Sequence, residues 1–503
     1  MKGIKLLLLS IFFLPVLTGC AQSRETDITD KFDKKFLELL VEGGILKNKN
    51  IVRIADVDTI KWLNADECEL TSLAGIEYFS GLLILECGSN KLTKLDLSKN
   101  TKLISLSCMF NELTHLDVSK NPELNLLYCC HNQLTDLGIS KNIKLQELRC
   151  TNNQLTQLDA SKNINLERLH CYNNQLKELD LPNSPNLIHL YCTENRLSHL
   201  DTSKNVNLES LYCYDNQLKE LVLPNSPNLK NLYCQVNQLP HLDISKNVNL
   251  GELDCSNNQL SDLDISKNTN LQVLNYSENK SSHLDVSRNV NLRKLDCSNN
   301  QLSNLDVSKN VNLGELYCSN NQLNHLDVSR NIELRWLSCS DNQLTHLDVS
   351  TNIDLQSLGC SGNQLKKLDL SRNLDNLNCQ GNLLTHLDVS KNVNIEWLIC
   401  SDNQLAYLDV SKIINLKRLD CEDNQLENLD LSKNLEVLNC QGNLLTHLDV
   451  SKSKNLKRLD CSNNQLKKLD LSKNPDLEII NYKENKFENL DLSKNKELKR
   501  IEE

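Results

Sequence analysis

The feature that most constrains this chain of 503 residues is a repeat of 21 residues that fills most of its length. Eighteen cysteines and two tyrosines form one column at this interval, with two steps shortened to 19 residues, and an asparagine follows three residues after each of them. The column consists of Cys87, Cys108, Cys129, Cys150, Cys171, Cys192, Cys213, Cys234, Cys255, Tyr276, Cys297, Cys318, Cys339, Cys360, Cys379, Cys400, Cys421, Cys440, Cys461 and Tyr482. Such periodicity predicts one repetitive array instead of the roughly three domains that this length otherwise suggests.

The pattern within one repeat predicts how the array folds. Its consensus is L-x-x-L-x-C-x-x-N-x-L-x-x-L-D-[LV]-S-K-N-x-x. Alternation places two leucines and the cysteine on one side of a short strand, and stacked coils bury the apolar side that a single coil cannot bury. The asparagine at the turn can pair backbone groups of its own coil and the next. We expect a parallel β-solenoid with two short strand segments per 21-residue coil and little helix.

The repeat also carries a family resemblance. Its first half matches L-x-x-L-x-L-x-x-N/C-x-L, and its second half, as in LTKLDLSKN from residue 92, has the same spacing. The chain therefore resembles leucine-rich repeat proteins over about residues 60–498, in the nested form called IRREKO-type, and internalin-like bacterial surface lipoproteins. The resemblance implies a leucine-rich repeat solenoid that binds a protein ligand on a host or neighbouring cell, with adhesion as one form of that role.

The N-terminus predicts a lipid anchor. Lys2 and Lys5 precede the apolar stretch LLLLSIFFLPVL, which is typical of a signal peptide. The following Leu-Thr-Gly-Cys20 resembles the lipobox of bacterial lipoproteins, which implies lipidation of Cys20 and attachment to a membrane. Ala21 follows, where an Asp would resemble an inner-membrane retention signal. We therefore expect a cell-envelope location, with the outer membrane or cell surface favoured over the inner membrane.

The predicted domain organisation follows from these segments. It comprises a signal peptide at 1–19, a lipidated linker at 20–26, an N-terminal cap and first coil at 27–80, about 20 repeats at 81–498 and a charged C-terminus at 499–503. The cap should contain a helix that begins at an Asp or Thr and carries Phe32, Phe36, Leu39 and Leu40 on one face. The net charge of -11 gives no electrostatic reason for binding nucleic acid.

Cysteine is abundant without forming a metal or disulfide motif. The interval of 21 residues does not match C-x-x-C spacing, and parallel side chains one strand apart do not favour the dihedral angle of a disulfide. The column should therefore hold buried free thiols. Cys130, which directly follows column residue Cys129, is expected to point outward and to be the reactive thiol of the array.

Eight histidines share the motif H-L-D, with the Asp two residues later. They are His115, His199, His241, His283, His325, His346, His386 and His447. Even repetition favours a solvated surface, with Asp balanced by the Lys or Arg three residues on, as Asp117 is by Lys120, over a metal site or an acid–base pair. The best local group for a metal would be His325, Asp327, His346 and Asp348. We predict no metal, no cofactor and no catalytic residue, since G-x-S-x-G, H-E-x-x-H and Walker motifs are missing from the sequence.

Aromatic and basic residues gather beside the column in a few consecutive coils, where the array stops being monotonous. These candidate partner-binding residues are Tyr128, Arg149, His170, Tyr172, Tyr191, Tyr212, Tyr214 and Tyr233. Exposed Tyr with Arg is typical of binding hot spots, whereas Tyr also stabilises sheets as a cross-strand ladder, so both interpretations stay open. The same rings could stack on sugars, which keeps glycan binding as the alternative to protein binding.

Overall fold

The computed structural model describes residues 24–502, so the predicted signal peptide and Cys20 lie outside the described residues. The chain divides into two compact units, Met1–Asn247 and Val248–Glu503. Each unit is a parallel β-solenoid with very little helix, which confirms the predicted fold class. Within residues 24–502, no helix has the length and apolar character needed to cross a membrane.

The N-terminal cap belongs to the first unit and contains two α-helices, α1 (Lys34–Glu42) and α2 (Ile54–Val57), and two 3-10 helices, Thr29–Lys31 and Ile76–Tyr78. The side chain of Asp33 caps α1 by accepting a hydrogen bond of 3.0 Å from the amide of Phe36. Phe32 lies before the helix and not on its face, contrary to our prediction, and packs against the ring of Phe36 at 5.9 Å. The buried face of α1 comprises Phe36, Leu37 and Leu40 in place of the predicted Leu39.

The main sheet of the first unit is formed by one three-residue strand from each coil. Its strands are β1 (Trp62–Asn64), β2 (Ile84–Glu86), β3 (Ser105–Ser107), β4 (Leu126–Tyr128), β5 (Glu147–Arg149), β7 (Arg168–His170), β9 (His189–Tyr191), β11 (Ser210–Tyr212) and β13 (Asn231–Tyr233). Equivalent residues of successive coils lie opposite each other, as Leu211 does to Leu190 and Leu232. Because the register equals the repeat, every sequence column becomes a row of neighbouring side chains.

The main sheet of the second unit follows the same rule. Its strands are β14 (Glu252–Asp254), β15 (Val273–Asn275), β16 (Lys294–Asp296), β17 (Glu315–Tyr317), β18 (Trp336–Ser338), β20 (Ser357–Gly359), β22 (Asn376–Asn378), β23 (Trp397–Ile399), β25 (Arg418–Asp420), β27 (Val437–Asn439), β28 (Arg458–Asp460), β29 (Ile479–Asn481) and β30 (Arg500–Glu502). The shortened coils keep this register: Ser357 pairs with Asn376 across a step of 19 residues. The missing residues therefore come out of a corner and leave the strand ladder intact.

A second strand forms in only some coils, which corrects the prediction of two strands in every coil. The pairs are β6 (Gln157–Asp159) with β8 (Glu178–Asp180), β10 (His199–Asp201) with β12 (Glu220–Val222), β19 (His346–Asp348) with β21 (Lys367–Asp369), and β24 (Tyr407–Asp409) with β26 (Asn428–Asp430). The later strand of each pair precedes an altered corner, either Pro-Asn-Ser-Pro or a two-residue deletion. Such corners accompany backbone bonds like that from Ala160 N–H to the Asp180 carbonyl at 2.8 Å.

Buried asparagines join the coils at both corners. Asn216 donates from Nδ2 to the carbonyl of Cys213 at 3.2 Å and to that of Cys192, in the preceding coil, at 3.0 Å, while its Oδ1 accepts from the amide of Leu197 at 3.0 Å. The predicted role is confirmed, although the second coil served is the preceding one. A further buried asparagine in the SKN corner bonds to the preceding coil: Asn121 Nδ2 donates to the carbonyls of Leu97 and Asn100 at 3.1 and 2.9 Å.

Candidate functional site

A continuous stack of aromatic side chains runs along the outward side of the first unit's main sheet. The ring centroids of His170 and Tyr191 are 4.5 Å apart, and those of Tyr191 and Tyr212, and of Tyr212 and Tyr233, are each 4.7 Å apart, with planes within 16° of parallel. We call these four residues the aromatic row. The last position of each strand, β7, β9, β11 and β13, supplies one ring, so the strand spacing sets the stacking distance.

A charged cluster continues the same column toward the N-terminus. The guanidinium of Arg149 lies 5.0 Å from the ring centroid of Tyr128, in a cation–π arrangement. Arg149 Nε also pairs with the buried carboxylate of Glu147 at 2.6 Å, and that carboxylate lies 4.0 Å from Arg168. The predicted residues Tyr128 and Arg149 are therefore held in place by packing and by a buried acid that the sequence did not single out.

Tyr172 and Tyr214 lie elsewhere. They occupy the position after the column cysteine, beyond the ends of β7 and β11, and both are half-buried. Neither takes part in the ring stack, which contains only residues from the position before the cysteine. The structure thus separates the eight predicted residues into six that share one column and two that border it.

The row holds its histidine in the neutral form. Burial, followed by the positive charge of Arg149, lowers the pKa of His170 from its ordinary value to about 4. Burial and Arg168 also lower the pKa of His189, whose ring centroid lies 6.4 Å from that of Tyr191. At neutral pH His170 is therefore an uncharged aromatic ring in line with the tyrosines.

The stack determines which parts of the rings can meet a ligand. Tyr191 lies between His170 and Tyr212, and Tyr212 lies between Tyr191 and Tyr233, so both faces of these two rings are covered by neighbouring rings. Their edges are half-exposed. The row therefore presents ring edges and phenol groups at intervals of one strand, and its inner ring faces are occupied.

The H-L-D motif lies on a solvated surface, and it contains a local hydrogen bond that was not predicted from the sequence. Asp117 Oδ1 accepts from the amide of Ser119 at 2.8 Å, and this bond lowers the pKa of the Asp117 carboxyl more than Lys120 does. The predicted four-residue metal group is not assembled. Among residues 24–502 the only His, Cys, Asp and Glu side chains grouped closely enough for a metal are His346, Asp348 and Asp369, and Lys367 already pairs with Asp369 at 2.7 Å.

The column thiols are buried, as predicted, but Cys130 is not outward. Cys192 and Cys213 are free and fully buried, and burial raises the pKa of Cys192 to about 12. Cys130 is only 6% exposed, which makes the prediction of a reactive thiol there wrong. Strand β4 ends at Tyr128, and the alternation of inward and outward side chains does not continue into the turn that contains Cys130.

Comparison with known proteins identifies the class. No family model matches the chain, and no curated protein matches it. The solved structure of YopM from Yersinia enterocolitica is 28% identical, with coverage of 88% of this chain and 91% of that one and a TM-score of 0.65. The functional domain of InlJ from Listeria monocytogenes, which includes a cysteine ladder, is 28% identical over 85% and 73% of the two chains with a TM-score of 0.40.

A plant protein shares the fold at lower identity. The peptide hormone receptor RGFR1, solved in complex with RGF2, is 18% identical over 85% and 86% of the chains, with a TM-score of 0.61. The 21-residue repeat and the parallel solenoid together define this chain as a leucine-rich repeat solenoid, similar in structure to YopM.

Proposed function

We propose that this chain binds a protein partner through the aromatic row and the adjoining Tyr128–Arg149 pair. The observation that carries the proposal is the continuous stack of His170, Tyr191, Tyr212 and Tyr233 on an outward column. Rigid aromatic side chains lose little conformational entropy on binding, and with arginine they form the usual hot spots of protein interfaces. Protein binding also suits the fold, because a solenoid offers an extended surface in place of an enclosed pocket.

The geometry favours a protein over a glycan. A sugar ring that stacks on an aromatic side chain needs a free ring face, and the faces of Tyr191 and Tyr212 are covered by their neighbours. Ring edges and phenol groups instead suit hydrogen bonds and side-chain packing from a polypeptide. Glycan binding therefore becomes the alternative outcome of the experiment below.

The test compares two sets of variants of the mature chain. We expect Tyr191→Ala, Tyr212→Ala and Tyr233→Ala, combined, to abolish capture of a surface protein that the wild type retains. The matched control is Phe110→Ala with His131→Ala, which removes another stacked pair of the same unit, at a centroid distance of 4.2 Å, from a different column. Unchanged capture by the triple variant would show that the aromatic row is not part of the binding site. If the triple variant lost its signal on a glycan array but still captured the protein, the sugar alternative would be favoured.

We further propose that Cys20 carries a lipid and anchors the protein in the cell envelope, at the outer membrane or cell surface, where the solenoid could act in adhesion. The lipobox-like Leu-Thr-Gly-Cys20 supports this proposal. Metabolic labelling with a fatty-acid analogue should mark the wild type and not Cys20→Ala. Digestion by proteinase added to intact cells would distinguish an outward-facing protein from a periplasmic one, since only the former is accessible.

A further inference from the structure

The second unit contains a notch that the repeat itself does not explain. Arg293, Gly314 and Arg335 occupy the same position in three successive coils. The amide of Gly314 donates to the carbonyl of Arg293 at 2.8 Å, and the amide of Arg335 donates to the carbonyl of Gly314 at 2.9 Å. The glycine therefore lies directly between two arginines, one coil on either side.

The backbone does not require a glycine at this position. A Cβ added to Gly314 would lie 3.6 Å from the carbonyl oxygen of Arg293 and 3.8 Å from that of Glu333, which are ordinary van der Waals distances. Gly314 instead lies on the wall of an open depression of about 600 Å³, whose lining includes Arg293, Arg335, Glu333 and Trp336. We call this depression the Gly314 notch.

The charges around the notch are incompletely paired. Glu315 is neutralised by Lys294 at 3.0 Å, and Lys294 also lies 5.5 Å from the ring centroid of Tyr317. By contrast, Arg293 and Arg335 are exposed and form no ion pair with any residue between 24 and 502. Glu333, on the rim, is likewise exposed, so the notch keeps two positive charges against one negative charge.

An apolar surface stands beside these charges. Trp336 begins strand β18, and its side chain is 38% exposed although tryptophan usually buries most of its area. Its amide donates to the Gly314 carbonyl at 3.2 Å, which fixes the residue next to the glycine. Exposed tryptophan next to arginine is the composition found at binding hot spots.

We propose that the Gly314 notch binds a carboxylate on an acidic side chain of a protein partner, with Trp336 packing against the apolar residue beside it. Guanidinium groups bind carboxylates through paired N–H donors, and the donors of the exposed Arg293 and Arg335 are not taken up by an ion pair with any described residue. The exposed Trp336 beside the arginines offers an apolar contact that a polypeptide carrying a carboxylate can use and inorganic phosphate cannot, which favours the former.

This site goes beyond the aromatic row, because it lies in the other unit and uses different chemistry. A partner could engage either surface without the other. The experiment therefore uses short peptides, whose failure to bind would leave the proposal for the aromatic row unaffected.

The experiment measures binding of acetyl-Leu-Glu-Leu-amide, its Gln analogue and inorganic phosphate to the mature chain by ligand-observed NMR. We expect the Glu peptide to bind with a dissociation constant of about 1 mM or below, roughly tenfold tighter than the Gln peptide. Arg293→Gln with Arg335→Gln should weaken binding about tenfold, and Gly314→Leu should do the same by placing a side chain between the two arginines while both remain.

The control is Gln356→Leu, which places the same side chain at the equivalent exposed position one coil after Arg335 and should leave affinity unchanged. Circular dichroism establishes that each variant is folded. Equal affinity of wild type and Gly314→Leu, equal affinity for the Glu and Gln peptides, or no detectable binding by the wild type would each overturn the proposal. Phosphate binding as tight as the Glu peptide would overturn the assignment to a carboxylate.

Discussion

Tyr191 and Tyr212 stack with their ring centroids 4.7 Å apart and their planes 16° apart, although 21 residues separate them in sequence. Parallel strands in register bring equivalent outward positions to the spacing of one strand, which is close to the preferred distance between offset rings. Two aromatic residues at the same position of neighbouring repeats therefore stabilise the sheet whether or not they bind a partner.

A double-mutant cycle should detect this stabilisation. Replacing Tyr191 and Tyr212 by Leu, singly and together, should give a coupling free energy of about 0.5–1 kcal/mol, because each single change already removes the ring contact. Chemical denaturation measures the free energies of unfolding. The control cycle pairs Tyr191→Leu with Tyr128→Leu, three coils apart, and should show no coupling. Equal coupling in both cycles would contradict a contribution from direct stacking.

The pKa of His170 predicts a loss of stability in weak acid. Unfolded histidine binds a proton below about pH 6.5, whereas folded His170 does so only near its pKa of about 4. The stability that neutral His170 contributes to the folded state is therefore complete above pH 6.5 and is lost as the pH falls toward 4. After allowance for partial exposure, the wild type should lose about 1 kcal/mol more than His170→Gln between pH 7 and 5. Denaturation curves at the two pH values measure it, and parallel losses would count against the assignment.

The asparagine of the cysteine-side corner should be among the costliest side chains to remove. Asn216 is buried and serves one amide and several carbonyls, so Asn216→Ala leaves buried backbone groups unpaired and should cost about 3 kcal/mol. Asn207→Ala, at an exposed asparagine of the same coil, is the control and should cost less than about 0.5 kcal/mol. Equal losses in denaturation experiments would show that the corner tolerates the unpaired groups.

A strained backbone position offers a stabilising change. The second residue after the column position adopts positive φ in coil after coil, most often as Asn, Asp or Gly, but Val236 does so with a φ of 54°. Branching at Cβ makes this conformation costly, so Val236→Asn should stabilise the first unit by about 1 kcal/mol. The reciprocal change Asn257→Val, where φ is 49°, should destabilise the second unit by a similar amount. Thermal unfolding of both variants measures the two changes. A loss of stability in Val236→Asn, or a gain of stability in Asn257→Val, would refute the argument.

Thiol reactivity should follow burial and not position in the motif. Cys68 is half-exposed, whereas Cys130 and Cys192 are buried, and burial raises the pKa of Cys192 to about 12. A thiol reagent at pH 8 should therefore modify Cys68 before any cysteine of the array, even though burial also raises the pKa of Cys68. Mass spectrometry of the native protein identifies the modified residues. Rapid labelling of Cys130 would instead support the outward orientation that the sequence predicts.

The sequence predicts this fold well because its register is the repeat itself. Once Leu211 pairs with Leu232, every inward and outward position of the strand follows, which is why Cys213 and Tyr212 were placed on their correct sides. The six aromatic and basic residues preceding the cysteine were therefore predicted as neighbours. The stacking of their faces was not, because ring orientation depends on side-chain torsions that a repeat does not specify.

The wrong prediction for Cys130 arose where strand alternation ends. Cys130 falls just beyond the strand, where the backbone turns into the positive φ of His131, so counting by two no longer gives the side. The Gly314 notch was not predicted, because a single glycine at a variable position of the repeat does not stand out from other sequence variation. The useful signal would have been two arginines on either side of it, at intervals of 21 residues.

The shortened coil between Cys360 and Cys379 has a consequence for how such a protein changes over time. Its strand pairs in register although two residues are missing, and Ser371 takes the place of the corner asparagine, with its carbonyl accepting from Asn392 at 2.6 Å. Strand pairing therefore depends on one strand from each coil and not on the number of residues in the coil. Insertion or deletion of a whole coil, or shortening of a corner, would change the packing of the core very little. It would, however, change the position of the aromatic row and of the Gly314 notch along their units.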